Sequence, residues 1–153
     1  MKNGFTKIEL IIVIFLIIVM IAFDIIIVLY LNVKTRDIMV LSDIKQIQSG
    51  LDTYLVENSE YPIATEPVNL NDVYASTEKL CSDGFKKNTD QCGRLILNVV
   101  PNSDLANGNI YKYQSDGQNY KIEFSLKGNF KAQELSRGIN CATNNQILSQ
   151  ACF

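Results

Sequence analysis

The chain of 153 residues contains no histidine. That removes the commonest general base and the commonest metal ligand together. A Ser-His-Asp triad is excluded, and a cysteine nucleophile would lack a histidine base. No glycine-rich phosphate loop is present either. Positive charge is not in excess: 14 Lys and Arg stand against 16 Asp and Glu, for a formal net charge of -2. This is unlike the basic footprint of a dedicated nucleic-acid binder. The small basic clusters, Lys34 with Arg36 and Lys86 with Lys87, read as solvated faces. A small-residue cleavage site is also missing after the apolar run near the N-terminus. Ala22-Phe23-Asp24 is not an A-x-A pattern, and Ile25 to Leu31 is apolar again. The run is therefore expected to be retained, unlike a secretory signal peptide.

What is present is a greasy stem followed by a polar remainder. Ile8 to Leu31 is apolar except at Glu9 and Asp24. As a helix this run would extend about 36 Å, enough to cross a bilayer. Lys2 and Lys7 at its start favour a cytoplasmic N-terminus, while Lys34 and Arg36 at its far end oppose that vote. Glu9 costs free energy in a membrane helix unless it is paired or sits at the interface. Two readings follow from the residues alone. Glu9 lies at headgroup depth and complements the helix N-terminus, or it pairs with another charge.

Gly4-Phe5-Thr6-Lys7-Ile8-Glu9, preceded by the short basic Met1-Lys2-Asn3 and followed by the apolar run, closely resembles the class III signal of type IV pilins and type II secretion pseudopilins. The resemblance implies a leader at 1–4, an assembly and transmembrane stem at 5–31, and a globular head at 32–153. It implies cleavage by prepilin peptidase between Gly4 and Phe5, N-methylation of Phe5, and use of Glu9 in assembly. The physics is intelligible. Cleavage exposes a positive amine at Phe5, four residues or about 6 Å along a helix from Glu9. A neighbour staggered by that rise pairs amine with carboxylate, and the cost of an unpaired charge in an apolar fibre sets the stagger. Apolar packing supplies the cohesion.

Two positions depart from the family pattern. Lys7 stands where an apolar residue is common, and Asp24 interrupts the second half of the stem. Ile25-Ile26-Ile27 also runs without the late proline that many members carry. After cleavage the stem would hold two positive groups, the Phe5 amine and Lys7, and two negative ones, Glu9 and Asp24. Lys7 and Asp24 are about 25 Å apart along a helix, beyond reach within one chain but not between staggered copies. The competing reading has Asp24 in water or headgroups and Lys7 snorkelling to the cytoplasmic interface.

Beyond the stem, Val40, Ile44, Ile47, Leu51 and Tyr54 recur at helical spacing, with Leu41 and Leu55 alongside. Asp37, Asp43, Lys45, Gln46 and Gln48 fill the other positions. The helix should stop near Asn58 to Glu60, because Pro62 disfavours a helical Tyr61. Residues 60–93 read as an irregular connection, with a short helix across Asp72 to Leu80. Leu95 to Val100 is a candidate strand. Tyr111 and Tyr113, the turn signal Ser115-Asp116-Gly117-Gln118, and the alternation Tyr120, Ile122, Phe124, Leu126 define an antiparallel hairpin. The expected fold is α+β and pilin-like: a long N-terminal helix, membrane stem plus amphipathic half, packed on a small antiparallel sheet with disulfide-closed loops.

Cys81, Cys92, Cys141 and Cys152 all lie in the polar part. Four cysteines allow three connectivities. The local pairs 81–92 and 141–152 are favoured, since each closes a loop of about a dozen residues and stabilises by roughly 3 kcal/mol in the chain-entropy model. A zinc site is the rival, but it wants closely spaced cysteine pairs and a reducing compartment. In many pilins the C-terminal loop so closed serves subunit contacts. Oxygen ligands near Asn102 to Asp104 would suit calcium, yet such loops are common without metal. No metal site is assigned and no cofactor is expected.

The resemblance implies a structural, non-enzymatic subunit of a type IV pilus or related filament. Its partners would be copies of itself or other pilins, prepilin peptidase, the assembly machinery of the inner membrane, and membrane lipid before assembly. It would pass from the cytoplasmic membrane to an extracellular or periplasmic filament. A minor pilin or pseudopilin whose head binds a surface, DNA or a secretion substrate is one alternative, with nothing in the sequence supporting nucleic acid. An uncleaved, membrane-anchored extracellular domain is another.

Overall fold

A computed structural model describes residues 7–101, 110–130 and 134–153, with side chains except at 26 and 28–33. The first element is α1, Lys7–Asn58, a single helix of 52 residues. The chain divides into two compact units, Met1–Arg36 and Asp37–Phe153, so α1 contributes to both. The helix ends where the sequence expects. Ser59 takes a left-handed conformation, φ 63°, and its N–H donates to the Leu55 carbonyl at 2.7 Å. That closes the last turn as an αL cap.

The second unit is α+β. From Asp37 onward, Val40, Ile44, Ile47, Leu51 and Tyr54 are all buried, so the predicted stripe is the core face of the helix. It meets a five-stranded antiparallel sheet made of β1 (Ala64–Asn69), β5 (Lys112–Ser115), β6 (Tyr120–Leu126), β7 (Gly138–Thr143) and β8 (Ile147–Leu148), in the order β1-β5-β6-β7-β8. The hairpin β5–β6 has the expected register, with Tyr113 opposite Ile122 and Ser115 opposite Tyr120. Directly opposed residues share a face of the sheet. Tyr113, Tyr120, Ile122, Phe124, Leu126 and Ala142 therefore face inward together, all buried in the cluster that holds the helix stripe. Gly117 makes the turn at φ 90°, a conformation that glycine adopts without strain.

Three features differ from the expectation. Residues 72–80 form no helix. The Asp72 carboxylate accepts the N–H groups of Tyr74 and Ala75, Asn71 and Ser76 take left-handed φ, and Lys79 already begins a strand. Short polar side chains that bond their own backbone favour such turns over helix. Residues 60–93, expected to form an irregular connection, instead supply β1 and most of a second, three-stranded antiparallel sheet. That sheet comprises β2 (Lys79–Cys81), β3 (Gly84–Lys86) and β4 (Leu95–Leu97), in the order β3-β2-β4. The C-terminal segment, given no elements beforehand, forms β7 and β8. Its pattern hid them, because one face of β7 carries Asn140 and Ala142 and the other carries Cys141.

The second sheet approaches the helix at Gly50. A Cβ there would lie 2.5 Å from Leu97 Cδ1 and 2.8 Å from its Cγ. Helix propensity alone favours valine over glycine, by less than about 1 kcal/mol. Overpacking costs about 1–3 kcal/mol and should win. Gly50→Val is thus expected to destabilise the head by about that amount, read as a lower Tm in near-ultraviolet circular dichroism of the detergent-solubilised chain. An unchanged or higher Tm would show that β4 does not press on α1.

Candidate functional site

The segment Lys7–Ile25 of α1 is long and apolar enough to cross a membrane, and none of it is buried within the chain. Membrane anchors and signal sequences share that property. Ile8, Ile11, Phe15, Ile18, Met20 and Phe23 are each about three-fifths exposed or more, so the apolar surface runs all the way round the helix. Such a helix has to be covered by lipid or protein. Three charged residues interrupt it. Lys7, Glu9 and Asp24 all lie exposed on unbroken helix. At 3.6 residues per turn, Glu9 points about 160° away from Lys7. Asp24 lies about 25 Å further along and about 100° round. The chain therefore does not bring Lys7 and Asp24 together. Gly4 and Phe5, the expected processing positions, lie outside the described residues, as do Asn102 to Asp104, whose oxygen ligands would suit calcium.

In the second unit, polar residues of α1 latch the helix to the sheet. Asp37 is buried, and its two carboxylate oxygens accept the backbone N–H groups of Lys127 (2.9 Å) and Gly128 (2.7 Å), just past the end of β6. Asp43 accepts the Tyr111 hydroxyl at 2.9 Å, beside the start of β5. Gln48 Nε2 donates to the Tyr120 hydroxyl oxygen (3.1 Å) and to the Thr143 carbonyl (3.0 Å) at the end of β7. Helical spacing assigned these three residues to the polar face and so missed them. No local signal separates a polar residue that faces water from one at the border of the stripe.

Burial raises the Asp43 carboxyl above its ordinary value, with the Tyr111 hydrogen bond pulling the other way. It also pushes the Tyr120 hydroxyl up to about 12, against the Gln48 hydrogen bond, and raises Tyr113 further. Both tyrosines are therefore neutral packing groups. Tyr113 donates to the Pro62 carbonyl at 2.7 Å, and Tyr61 meets Tyr120 edge-on at 4.8 Å between ring centres.

The cysteines form the two local pairs, Cys81–Cys92 and Cys141–Cys152, and no free thiol remains. That displaces the zinc alternative. In the first loop, buried Lys79 donates to the carbonyls of Asn88 (3.3 Å) and Asp90 (2.7 Å), so charge and disulfide hold the same turn. The second disulfide lies on the outer face of the large sheet, since Cys141 opposes Glu123. Glu123 pairs with Lys112 at 3.3 Å and accepts the N–H of Cys152 at 3.3 Å, while Lys121 reaches the Cys152 carbonyl at 3.4 Å. The C-terminal residues are thereby strapped across a polar sheet face. Among the described residues, no group of three or more His, Cys, Asp or Glu could hold a metal ion. No known protein family, curated protein or solved structure matches this chain.

Two outcomes test the latch. Asp37→Ala leaves two backbone donors without their acceptor and should cost about 3 kcal/mol, with Asp37→Asn, which keeps one acceptor oxygen, losing less; equal loss in both would count against the hydrogen-bonded role. For Asp43 the folded carboxyl binds its proton more readily than the unfolded one. Stability therefore falls as pH rises from below the unfolded value through the folded value, and stays lowered above it. Asp43→Asn keeps an acceptor for Tyr111 and removes that step. Its Tm relative to the parent should be more favourable at pH 7 than at pH 3, and a difference that does not vary with pH would contradict the assignment.

Proposed function

We propose that this chain is a structural subunit of a type IV pilus or related filament. It is cut between Gly4 and Phe5, methylated at Phe5, and polymerised through its apolar helix. The observation that carries the reading is the unburied helix Lys7–Ile25 with an acidic residue, Glu9, in its first turn. That helix follows the Gly4-Phe5 junction directly in sequence and continues as α1 into a disulfide-closed α+β head. Before assembly, lipid covers the stem. After assembly, other stems do, and the new amine of Phe5 in one copy neutralises Glu9 of its neighbour. Prepilin peptidase and the inner-membrane assembly machinery are the implied partners. The same stem would serve a surface pilin, a minor pilin or a type II secretion pseudopilin, and the head contributes the exposed surface of the fibre.

The deciding measurement is the intact mass of the chain in material sheared from cells, without reductant. A chain beginning at Phe5, heavier by one methyl group and lighter by the four hydrogens of two disulfides, is the expected result. Glu9→Gln should leave the chain in the membrane and deplete it from the sheared fraction. A chain that starts at Met1 and is found only in membranes would replace the filament reading with that of an uncleaved anchored domain.

A further inference from the structure

Lys7 and Asp24 are two opposite charges on one uninterrupted apolar helix, both exposed and separated by 17 positions. We propose that they form an intermolecular pair, Lys7 of one copy against Asp24 of another copy displaced along the helix axis by about 25 Å. The proposal rests on the stem being a polymerising membrane helix, and it names which copies touch and with what offset.

In the bilayer the two charges are separated by about 25 Å, against a hydrocarbon core of about 30 Å. With Lys7 at one interface, Asp24 falls within about 5 Å of the other, and both side chains reach polar surroundings by snorkelling. A lone membrane-inserted stem therefore tolerates both charges. Association changes this, because packed stems exclude lipid headgroups and water. An antiparallel pair of stems would satisfy both charges twice over and stop as a closed dimer. Copies inserted with one topology cannot form it. A parallel pair in register sets Lys7 beside Lys7 and Asp24 beside Asp24, which repels.

A parallel pair displaced by 17 positions sets opposite charges together. The displacement lifts one stem by nearly the thickness of the hydrocarbon core. Lys7 of the lifted copy then arrives at the height of Asp24 in the copy below. Leaving a charge unpaired in that crossing is expensive, and Asp24 offers the partner where the crossing ends. The contact is heterologous. Each copy uses Asp24 towards the copy above and Lys7 towards the copy below, so the interaction propagates as an open filament and does not close. Glu9 lies about 160° round the helix from Lys7, so the pairing proposed for Glu9 and the Phe5 amine involves a differently staggered neighbour.

Cross-linking of full-length chains in cells tests this directly. The parent, the double variant Lys7→Cys with Asp24→Cys, and each single variant are expressed, oxidised, sheared and run on non-reducing gels. The expected result is a covalent ladder from the double variant and monomer from each single variant. A parent that makes fibres while the double variant in its fibres gives no ladder, or gives dimers from the single variants, overturns the pairing and leaves the filament reading intact. A parent that makes no fibres overturns both. Should the cysteine variants fail to assemble, charge reversal decides. Lys7→Glu or Asp24→Lys alone should lower fibre yield by at least about tenfold, and the two together should restore it. Absence of restoration overturns the pairing.

Discussion

An apolar run as long as Ile8 to Leu31 has to be kept out of water, and the rest of the molecule is arranged around that constraint. Burying one large aliphatic side chain is worth roughly 1.5–3 kcal/mol. The stem carries many, and among the described residues none covers them from Lys7 to Ile25. The head does not draw on them either. Its buried cluster begins at Val40 and uses only residues from the second unit. One helix thus presents two different surfaces in succession. The first is apolar all round, suited to lipid or to other copies. The second is apolar on one side, suited to a sheet.

The second half of α1 faces a problem of register. A stripe of Val40, Ile44, Ile47, Leu51 and Tyr54 is greasy at every turn, and apolar contact alone does not discriminate strongly between positions one turn apart. Directional hydrogen bonds do. Asp37 takes the two N–H groups at the end of β6, Asp43 takes the hydroxyl beside β5, and Gln48 joins the ends of β6 and β7. Sliding the helix by a turn would break all of these and leave buried polar groups unpaired. Gly50 adds a steric condition, since a side chain there would run into Leu97 of β4. The polar border of the stripe and one missing side chain therefore specify what the apolar stripe merely stabilises.

This division explains what the sequence made legible. Periodicity reports burial, so the helix stripe and the alternation from Tyr120 to Leu126 are readable and both occur. The end of α1 is readable from Pro62, and the local disulfides from two equal spacings. Segments whose stability comes from specific bonds are not readable in this way. The turn at Asp72 looks helical by composition because its side-chain-to-backbone bonds leave no period. β7 does not look like a strand because an asparagine faces inward where alternation needs an apolar residue, while Ile139 and Cys141 stand on the outer face. Asp37 could not be told from an exposed helix aspartate, since its acceptors' partners lie some ninety positions away.

The disulfides and the charges at the start of the stem bear on the same question of sidedness from different directions. Structural disulfides persist outside the reducing cytoplasm. Both of these sit in the head, and each ties a buried strand cysteine, Cys81 or Cys141, to a less buried one, Cys92 or Cys152. Lys2 and Lys7 favour retention of the other end in the cytoplasm. Lys34 and Arg36 weaken the charge argument taken alone, because they flank the opposite end of the run. In the filament subunit we propose, the disulfides would place the residues beyond the stem outside the cytoplasm and the N-terminus inside. The strap formed by Cys152, Glu123 and Lys121 covers the outer face of the large sheet, away from the helix stripe.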